Sequence, residues 1–166
     1  MQELISRAKE LLENGTVARV LGWKAGDLSY NPEPAYFTSV EELKDFVYNG
    51  FCGANLSKYM IEASKLEGKT LVCLKPCDTY SFNQLLKEHR VDREKAYIVG
   101  VGCKGKLDIE KAKQLGIKGI ESVAGAEMTD AADTLTFQTL YGEKTCDYAE
   151  VMLERCHVCK GKDHVI

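Results

Sequence analysis

Seven cysteines stand at positions 52, 73, 77, 103, 146, 156 and 159 of the 166-residue chain, and three of their settings suggest chemistry. In "LVCLKPCDTY", residues 71 to 80, an apolar strand gives way to Pro76, Cys77 and Asp78, where a helix should begin. In "YIVGVGCKGK", residues 97 to 106, a second apolar strand runs out into Gly102-Cys103. Ligands of a parallel sheet bind outside its carboxyl ends, and neighbouring strands lie about 4.8 Å apart. If the two strands are adjacent, Cys77 and Cys103 leave the sheet on one edge. Cys156-His157-Val158-Cys159 adds a CxxC pair, whose tight turn puts two sulfurs on one side where they can grip a metal or a cluster edge.

Four thiolates suit a tetrahedral zinc or a [4Fe–4S] cube, and spacing alone leaves both open, with a redox dithiol as a third reading. Structural zinc sites usually draw on two CxxC pairs. Here two ligands are single cysteines at strand ends, which favours a cluster. Cys73 lies within its strand and reads as a small core residue. Cys52 and Cys146 sit in loop-like contexts from which either could replace one of the four. His157 lies between two thiols, His89 closes a helix whose dipole suits a cation, and His164 has no legible place.

The segment Gly100 to Gly105, "GVGCKG", also fits the G-x-G-x-x-G pattern of a dinucleotide-binding turn, with Glu121 near the place of a ribose-binding acid. The same glycines would let backbone approach a cluster and donate N–H groups to its sulfurs.

The elements that must position these residues alternate. Leu4, Ile5, Ala8, Leu11 and Leu12 mark one face of a first helix stopped by Asn14-Gly15. "TVARVLGW" reads as a strand, and a loop with Pro32 and Pro34 leads to a short extended "AYFT". Ser39 and Glu42 have capping-box spacing, which predicts a helix over "VEELKDFVY" closed by Asn49-Gly50. Leu56, Tyr59, Met60, Ala63 and Leu66 predict another helix, followed by a strand over 70–74, a helix after Cys77, a strand over 96–101, a helix over 107–115 and a strand at "IKGIE". That order predicts an α/β fold: one domain over residues 1–166, with a mainly parallel sheet flanked by helices. Residues 122–145 carry no firm pattern beyond the β-prone "TLTFQTLYG", and "DYAEVMLERC" predicts a short helix running into the CxxC pair. The apolar ending "KGKDHVI" suggests the start of an element, as in a fragment of a longer subunit.

Composition bounds the function. Hydrophobic residues make up 45% and charged residues 28%, values of a globular protein, and no apolar run approaches the roughly 20 residues that cross a bilayer. With 22 basic and 25 acidic residues and no basic stripe, nucleic acid is not an expected partner. No membrane association is expected either. The N-terminus lacks the pattern of a signal peptide, so a reducing cytoplasm is expected, where clustered cysteines mean metal or redox chemistry.

Pro76-Cys77, Gly102-Cys103-Lys104-Gly105, Cys156 to Cys159 and the upstream Ser57-Lys58-Tyr59 together resemble the N-terminal part of the β subunits of coenzyme F420-reducing hydrogenases and dehydrogenases. These are iron–sulfur flavoproteins, each one subunit of a larger complex. The resemblance implies that Cys77, Cys103, Cys156 and Cys159 hold a [4Fe–4S] cluster. It implies that "GANLSKY", with Gly53, Asn55, Ser57, Lys58 and Tyr59, contacts FAD, and that electrons pass to or from coenzyme F420 or another soluble carrier. Partners would be the other subunits of a hydrogenase, dehydrogenase or heterodisulfide-reductase-like complex. Ser57 would bond a phosphate oxygen that Lys58 neutralises at a helix start; the plainer alternative is Lys58 on a solvated face and Tyr59 in the core. Lys75 is a further candidate for compensating anion or cluster charge. Beside this electron-relay reading stand a zinc-stabilised scaffold module and a dinucleotide-binding domain using Gly100 to Gly105.

Overall fold

The computed structural model describes residues 1–128, 132–161 and 163–165. Its main sheet has four strands in the order β2-β1-β3-β4: β1 (Arg19–Lys24), β2 (Glu33–Phe37), β3 (Thr70–Leu74) and β4 (Ala96–Gly100). β1, β3 and β4 run parallel, and β2 closes one side antiparallel to β1. All five β3 residues and the middle four of β1 are buried, as expected of strands covered on both faces. Pro34 is tolerated in β2 because that strand lies at the edge. The helices α1 (Gln2–Glu13) and α3 (Pro76–Lys87) flank this sheet, with Ala8, Leu11 and Phe82 in its core.

Two helices differ from the sequence expectation. At residues 38–42 the capping-box contacts form: the Glu42 carboxylate accepts from the amides of Thr38 at 2.6 Å and Ser39 at 3.4 Å. Yet the helix stops after one 3-10 turn, Glu42–Asp45. Phe46 turns extended and bridges to Lys24, and the Val47 amide donates to the Trp23 carbonyl at 2.8 Å. Phe46 thereby packs on Phe37, and Tyr48 stacks on Trp23 with centroids 5.1 Å apart. Burying two aromatic rings outweighs continuing a local helix. The second difference is at Leu56–Tyr59, a 3-10 turn that passes into the short α2 (Met60–Ala63) and leaves Leu66 exposed.

A second sheet, which the alternating pattern did not foretell, holds β5 (Ile120–Ala124), β6 (Thr134–Thr139) and β7 (Gly142–Asp147), antiparallel throughout. The strand anticipated at "IKGIE" is β5, shifted toward the C-terminus and paired with β6 instead of extending the parallel sheet. Leu135 and Phe137 from β6 meet Phe51, Leu107, Ala112, Tyr148 and Val151 in a second core. The helices α4 (Ile109–Gln114) and α5 (Tyr148–Val151) lie against it. The two cores meet at residues 49–52: the Gly50 amide donates to Ala126 at 2.6 Å, and the Leu107 amide donates to Gly50 at 2.7 Å. No described helix is long and apolar enough to cross a membrane.

Candidate thiol centre

The carboxyl ends of β3 and β4 are the foundation of the site. Their parallel register runs from Thr70 opposite Ala96 to Leu74 opposite Gly100, so the following loops emerge side by side. The Val101 amide donates to the Leu74 carbonyl at 2.9 Å and carries the pairing one step further. Cys77 then begins α3 behind Pro76, whose fixed φ and missing N–H suit a first helical position. Cys103 stands in the loop after β4, whose Gly102 carbonyl accepts from the Tyr48 hydroxyl at 2.6 Å.

The CxxC pair arrives from the opposite end of the chain. Cys156 lies in α6 (Glu154–His157), and its sulfur accepts from the Lys106 amide at 3.4 Å. The Leu153 amide donates to the Lys106 carbonyl at 2.8 Å, which ties α6 to the β4 loop on both sides of that residue. Gly105 makes the close approach possible. Its φ of 137° lies where only glycine is comfortable, and an added Cβ would meet Met152 and sit 3.3 Å from the Cys156 Cβ. The tail then folds back over α3. The Val165 amide donates to Thr79 Oγ1 at 3.2 Å, Asn83 Nδ2 donates to the Val165 carbonyl at 2.8 Å, and His164 Nε2 lies 3.0 Å from the Leu74 carbonyl.

These contacts place the loops of Cys77 and Cys103 side by side and tie Cys156 to the second of them. Burial on its inward side, then Asp78 and the thiols of Cys103 and Cys159, push the Cys77 thiol up to about 11, against the pull of Lys75. Burial, then Cys103 and Cys156, hold the Tyr148 phenol above its ordinary range. Among the described residues no three His, Cys, Asp or Glu side chains stand close enough to share one metal ion. A tetrahedral zinc with bonds near 2.3 Å would need its sulfurs about 3.8 Å apart, whereas a cube carrying one thiolate on each iron spreads them wider. By donor chemistry, four thiols from three loops, with the Lys106 amide on Cys156, are residues that could hold such a cluster.

The remaining cysteines are set apart. Cys73 lies in the middle of β3 with no exposure, and burial pushes its thiol up to about 12. Cys52 is equally buried, accepts from the Asn49 amide at 3.3 Å and is also pushed up to about 12 by burial. Cys146 is on β7 in the second sheet, where burial and then Glu150 and Asp147 raise its thiol to about 11.

The 53–59 segment lies beside α3. Asn55 Oδ1 accepts from the Ser57 amide at 3.0 Å and the Ser57 hydroxyl at 2.6 Å, while its Nδ2 donates to Ser81 at 2.8 Å. Ser57 is thus buried and engaged. Lys58 is exposed, with its ammonium 5.0 Å from the centre of the Tyr59 ring, and Tyr59 packs against the first core. An open cleft of about 490 Å³ is lined by Asn55, Ser57, Lys58, Tyr80 and Gln84. Gly53 lies against the side chain of Lys106. Lys75 is buried: its ammonium meets Asp78 Oδ2 at 3.0 Å, donates to the Ala54 carbonyl at 2.8 Å and lies 4.5 Å over the Trp23 ring. It therefore pins the 53–59 segment to β1 and α3, with its charge matched by Asp78.

The geometry removes the dinucleotide reading of Gly100 to Gly105. That reading needs the last glycine to open a helix whose N-terminus faces the phosphates. Here α4 starts only at Ile109, capped by Asp108, and Gly105 packs on Met152 instead. Glu121 lies in the second sheet, its carbonyl accepting from Ser29 Oγ at 3.3 Å.

Residues 67–165, more than half of the chain, match the family model for the C terminus of the coenzyme F420 hydrogenase/dehydrogenase beta subunit. The chain belongs to this family. The matching part of the family is its C-terminal region, where the sequence resemblance points to the N-terminal part. Among curated relatives, the chain is 28% identical over 107 residues to the F420-dependent formate dehydrogenase 1 subunit beta of Methanococcus maripaludis. It is 27% identical over 99 residues to the F420-dependent formate dehydrogenase subunit beta of Methanocaldococcus jannaschii. These matches cover 64% and 60% of this chain but only 28% and 26% of the relatives' lengths. In fold it is similar to a chain of the F420-reducing [NiFe] hydrogenase complex of Methanosarcina barkeri, with a TM-score of 0.65 and 17% identity over 95% of this chain and 62% of that one.

Tyr48, Tyr148 and Lys106 are the site residues that sequence reasoning missed. Each acts through a backbone carbonyl or a sulfur far away in sequence, so no local motif marks them.

Proposed function

We propose that the chain is an electron-relay domain of an oxidoreductase subunit, with Cys77, Cys103, Cys156 and Cys159 holding a [4Fe–4S] cluster at the carboxyl edge of the parallel sheet. What supports this reading is that the loops after β3 and β4 emerge side by side and that α6, which carries Cys156, is bonded to the β4 loop through Lys106. The cluster would supply one-electron chemistry. FAD is assigned to the 53–59 segment, with Lys58 the exposed cation of the cleft and Asn55 and Ser57 shaping its floor. A flavin there would exchange electron pairs with a soluble carrier such as coenzyme F420, named in both curated relatives. The partners would be the other subunits of a cytoplasmic oxidoreductase complex.

The chain's own contribution is placement. Tyr148 donates to the Gly105 carbonyl at 2.8 Å and Tyr48 to that of Gly102, fixing the Cys103 loop from both sides. The Lys106 amide meets Cys156, and the returning tail is bonded to α3 through Val165 and Thr79. Anaerobic purification or reconstitution should give a brown protein with about four iron and four acid-labile sulfide per chain, absorbing broadly near 400 nm. A colourless protein carrying a single zinc would sink this reading.

A further inference from the structure

The loops that lead into β3 and β4 lie at the amino-terminal edge of the parallel sheet, opposite the strand ends that precede Cys77 and Cys103. An open cleft of about 700 Å³ lies there. Lys65, His89, Arg90 and Arg93 line it with the apolar Ile61, Leu86 and Val91, and Asp92 is the one carboxylate among the described residues that line it. Asp92 is already engaged: its Oδ1 accepts from the Glu94 amide at 2.9 Å, and its own amide donates to Ser64 Oγ at 3.4 Å. Glu88 bonds Gln84 at 2.8 Å and lines the cleft beside the 53–59 segment instead. Lys65 meets Glu62 at 2.7 Å in an exposed pair, and Arg93 spends one nitrogen on the Ala96 carbonyl at 3.0 Å. The side chains of His89 and Arg90 have no hydrogen-bond or ion-pair partner among the described residues.

The backbone at His89 is a second, independent sign. The Arg90 amide donates to the Leu85 carbonyl at 2.9 Å and the His89 amide to that of Leu86 at 3.0 Å, the paired bonds of a Schellman close to α3. Such a close needs a left-handed residue, usually glycine. Here His89 takes that place with a φ of 55°, the one positive φ outside glycine among the described residues. An imidazole stands where glycine would hold the same turn without strain, and strain of this kind collects at sites that bind.

We propose that this cleft docks an acidic segment with interleaved apolar residues from a neighbouring subunit. Lysine and arginine side chains only donate, so what fills the space between them must be rich in anionic acceptors. Small-molecule sites bury most of their ligand, whereas this cleft is open and Lys65, His89, Arg90 and Arg93 are exposed, which selects a protein segment over a small anion. Ile61, Leu86 and Val91 offer apolar surface to the side chains between the acids. The chain as a whole carries a formal charge of −3, so this basic rim is a local exception that supplies charge complementarity on one face. Docking there leaves the carboxyl edge of the sheet free and is independent of what the thiols hold.

The test is fluorescence anisotropy of the full chain with a fluorescein-labelled peptide of alternating glutamate and leucine, the same peptide with lysine for glutamate, and inorganic pyrophosphate as competitor. Wild type should bind the acidic peptide and not the basic one, and equimolar pyrophosphate should not displace it. Arg90→Glu should weaken binding about tenfold or more, while Lys144→Glu, the same charge change on β7, should leave it unchanged. His89→Gly should weaken binding and raise the urea midpoint, which separates a ligand contact from a residue kept for the fold. Absence of binding, an equal loss in Lys144→Glu, or a His89→Gly protein that binds like wild type overturns the proposal. Displacement by equimolar pyrophosphate would make the cleft a small-anion site, and self-association abolished by Arg90→Glu would give it to a second copy; either result also overturns it.

Discussion

The interior of the parallel sheet and its carboxyl edge both contain thiols, and they treat them in opposite ways. Cys73 and Cys52 are sealed in the first core and behave as small apolar residues. Cys77, Cys103, Cys156 and Cys159 are exposed or half-exposed in loops and short helices outside the sheet, and Cys156 accepts from the Lys106 amide. The difference is topological. A strand interior is covered by helices, whereas the end of a parallel strand releases its chain into a loop that can meet other loops.

The sharpest way to break this comparison is to exchange edge and interior sulfurs one at a time. Cys77→Ser, Cys103→Ser, Cys156→Ser and Cys159→Ser should each lose the iron chromophore, measured by absorption and iron content after anaerobic reconstitution. Retention of full colour in any of the four would remove that residue from the ligand set. Next in size is Lys75→Met. It leaves Asp78 buried at 2% exposure without its cation, a change that typically costs about 3–5 kcal/mol. Urea unfolding should show it, and the double replacement with Asp78→Leu should recover much of the loss. A Lys75→Met protein as stable as wild type would mean the pair is not formed.

How much of this was legible follows from where the signals lie. The burial of β3, the stop at Asn14-Gly15 and the strand ends at Cys77 and Cys103 rest on contacts within a few residues, and local pattern reports those. The second sheet rests on pairing across β5, β6 and β7, in which only β6 alternates buried and exposed residues clearly, while five of six β7 residues are exposed. The helix expected over residues 40–48 was lost to tertiary burial of Phe46 and Tyr48, which no capping residue foretells. Of the candidate site, the cysteines are what type and spacing alone can single out. The approach of Lys106 to Gly53 and of His164 to Leu74 depends on contacts spanning 53 and 90 positions of chain and leaves no mark in either segment.

Alkaline pH sharpens the comparison with a smaller effect. Cys73 and Cys52 are held near 12 in the folded chain against an ordinary value of 9.0, so the fold keeps protons that the unfolded chain sheds. Their stabilising contribution is complete below about pH 9 and is lost as pH rises toward 12, at up to about 1.4 kcal/mol per pH unit for each thiol. Stability of the metal-free chain, measured by urea unfolding from pH 8 to 11, should therefore fall beyond pH 9. A Cys52→Ala, Cys73→Ala double variant should show a shallower fall, and an identical slope would mean that these thiols are not protected.

The smallest effect is the most discriminating. Cys73 faces Val99 across the β3–β4 ladder and has no exposure, so Cys73→Ala deletes one buried sulfur in a packed layer. Large-to-small changes of about this size cost roughly 1–2 kcal/mol, since only part of the space can close. The urea midpoint should drop with an unchanged slope, because no additional surface is exposed. Iron loading and absorption should stay at the wild-type level, although Cys73 is only four residues from Cys77 in sequence. Loss of the chromophore here would show that the interior of the sheet and its edge are not chemically separate, and proximity along the strand would then matter more than the face on which a thiol emerges.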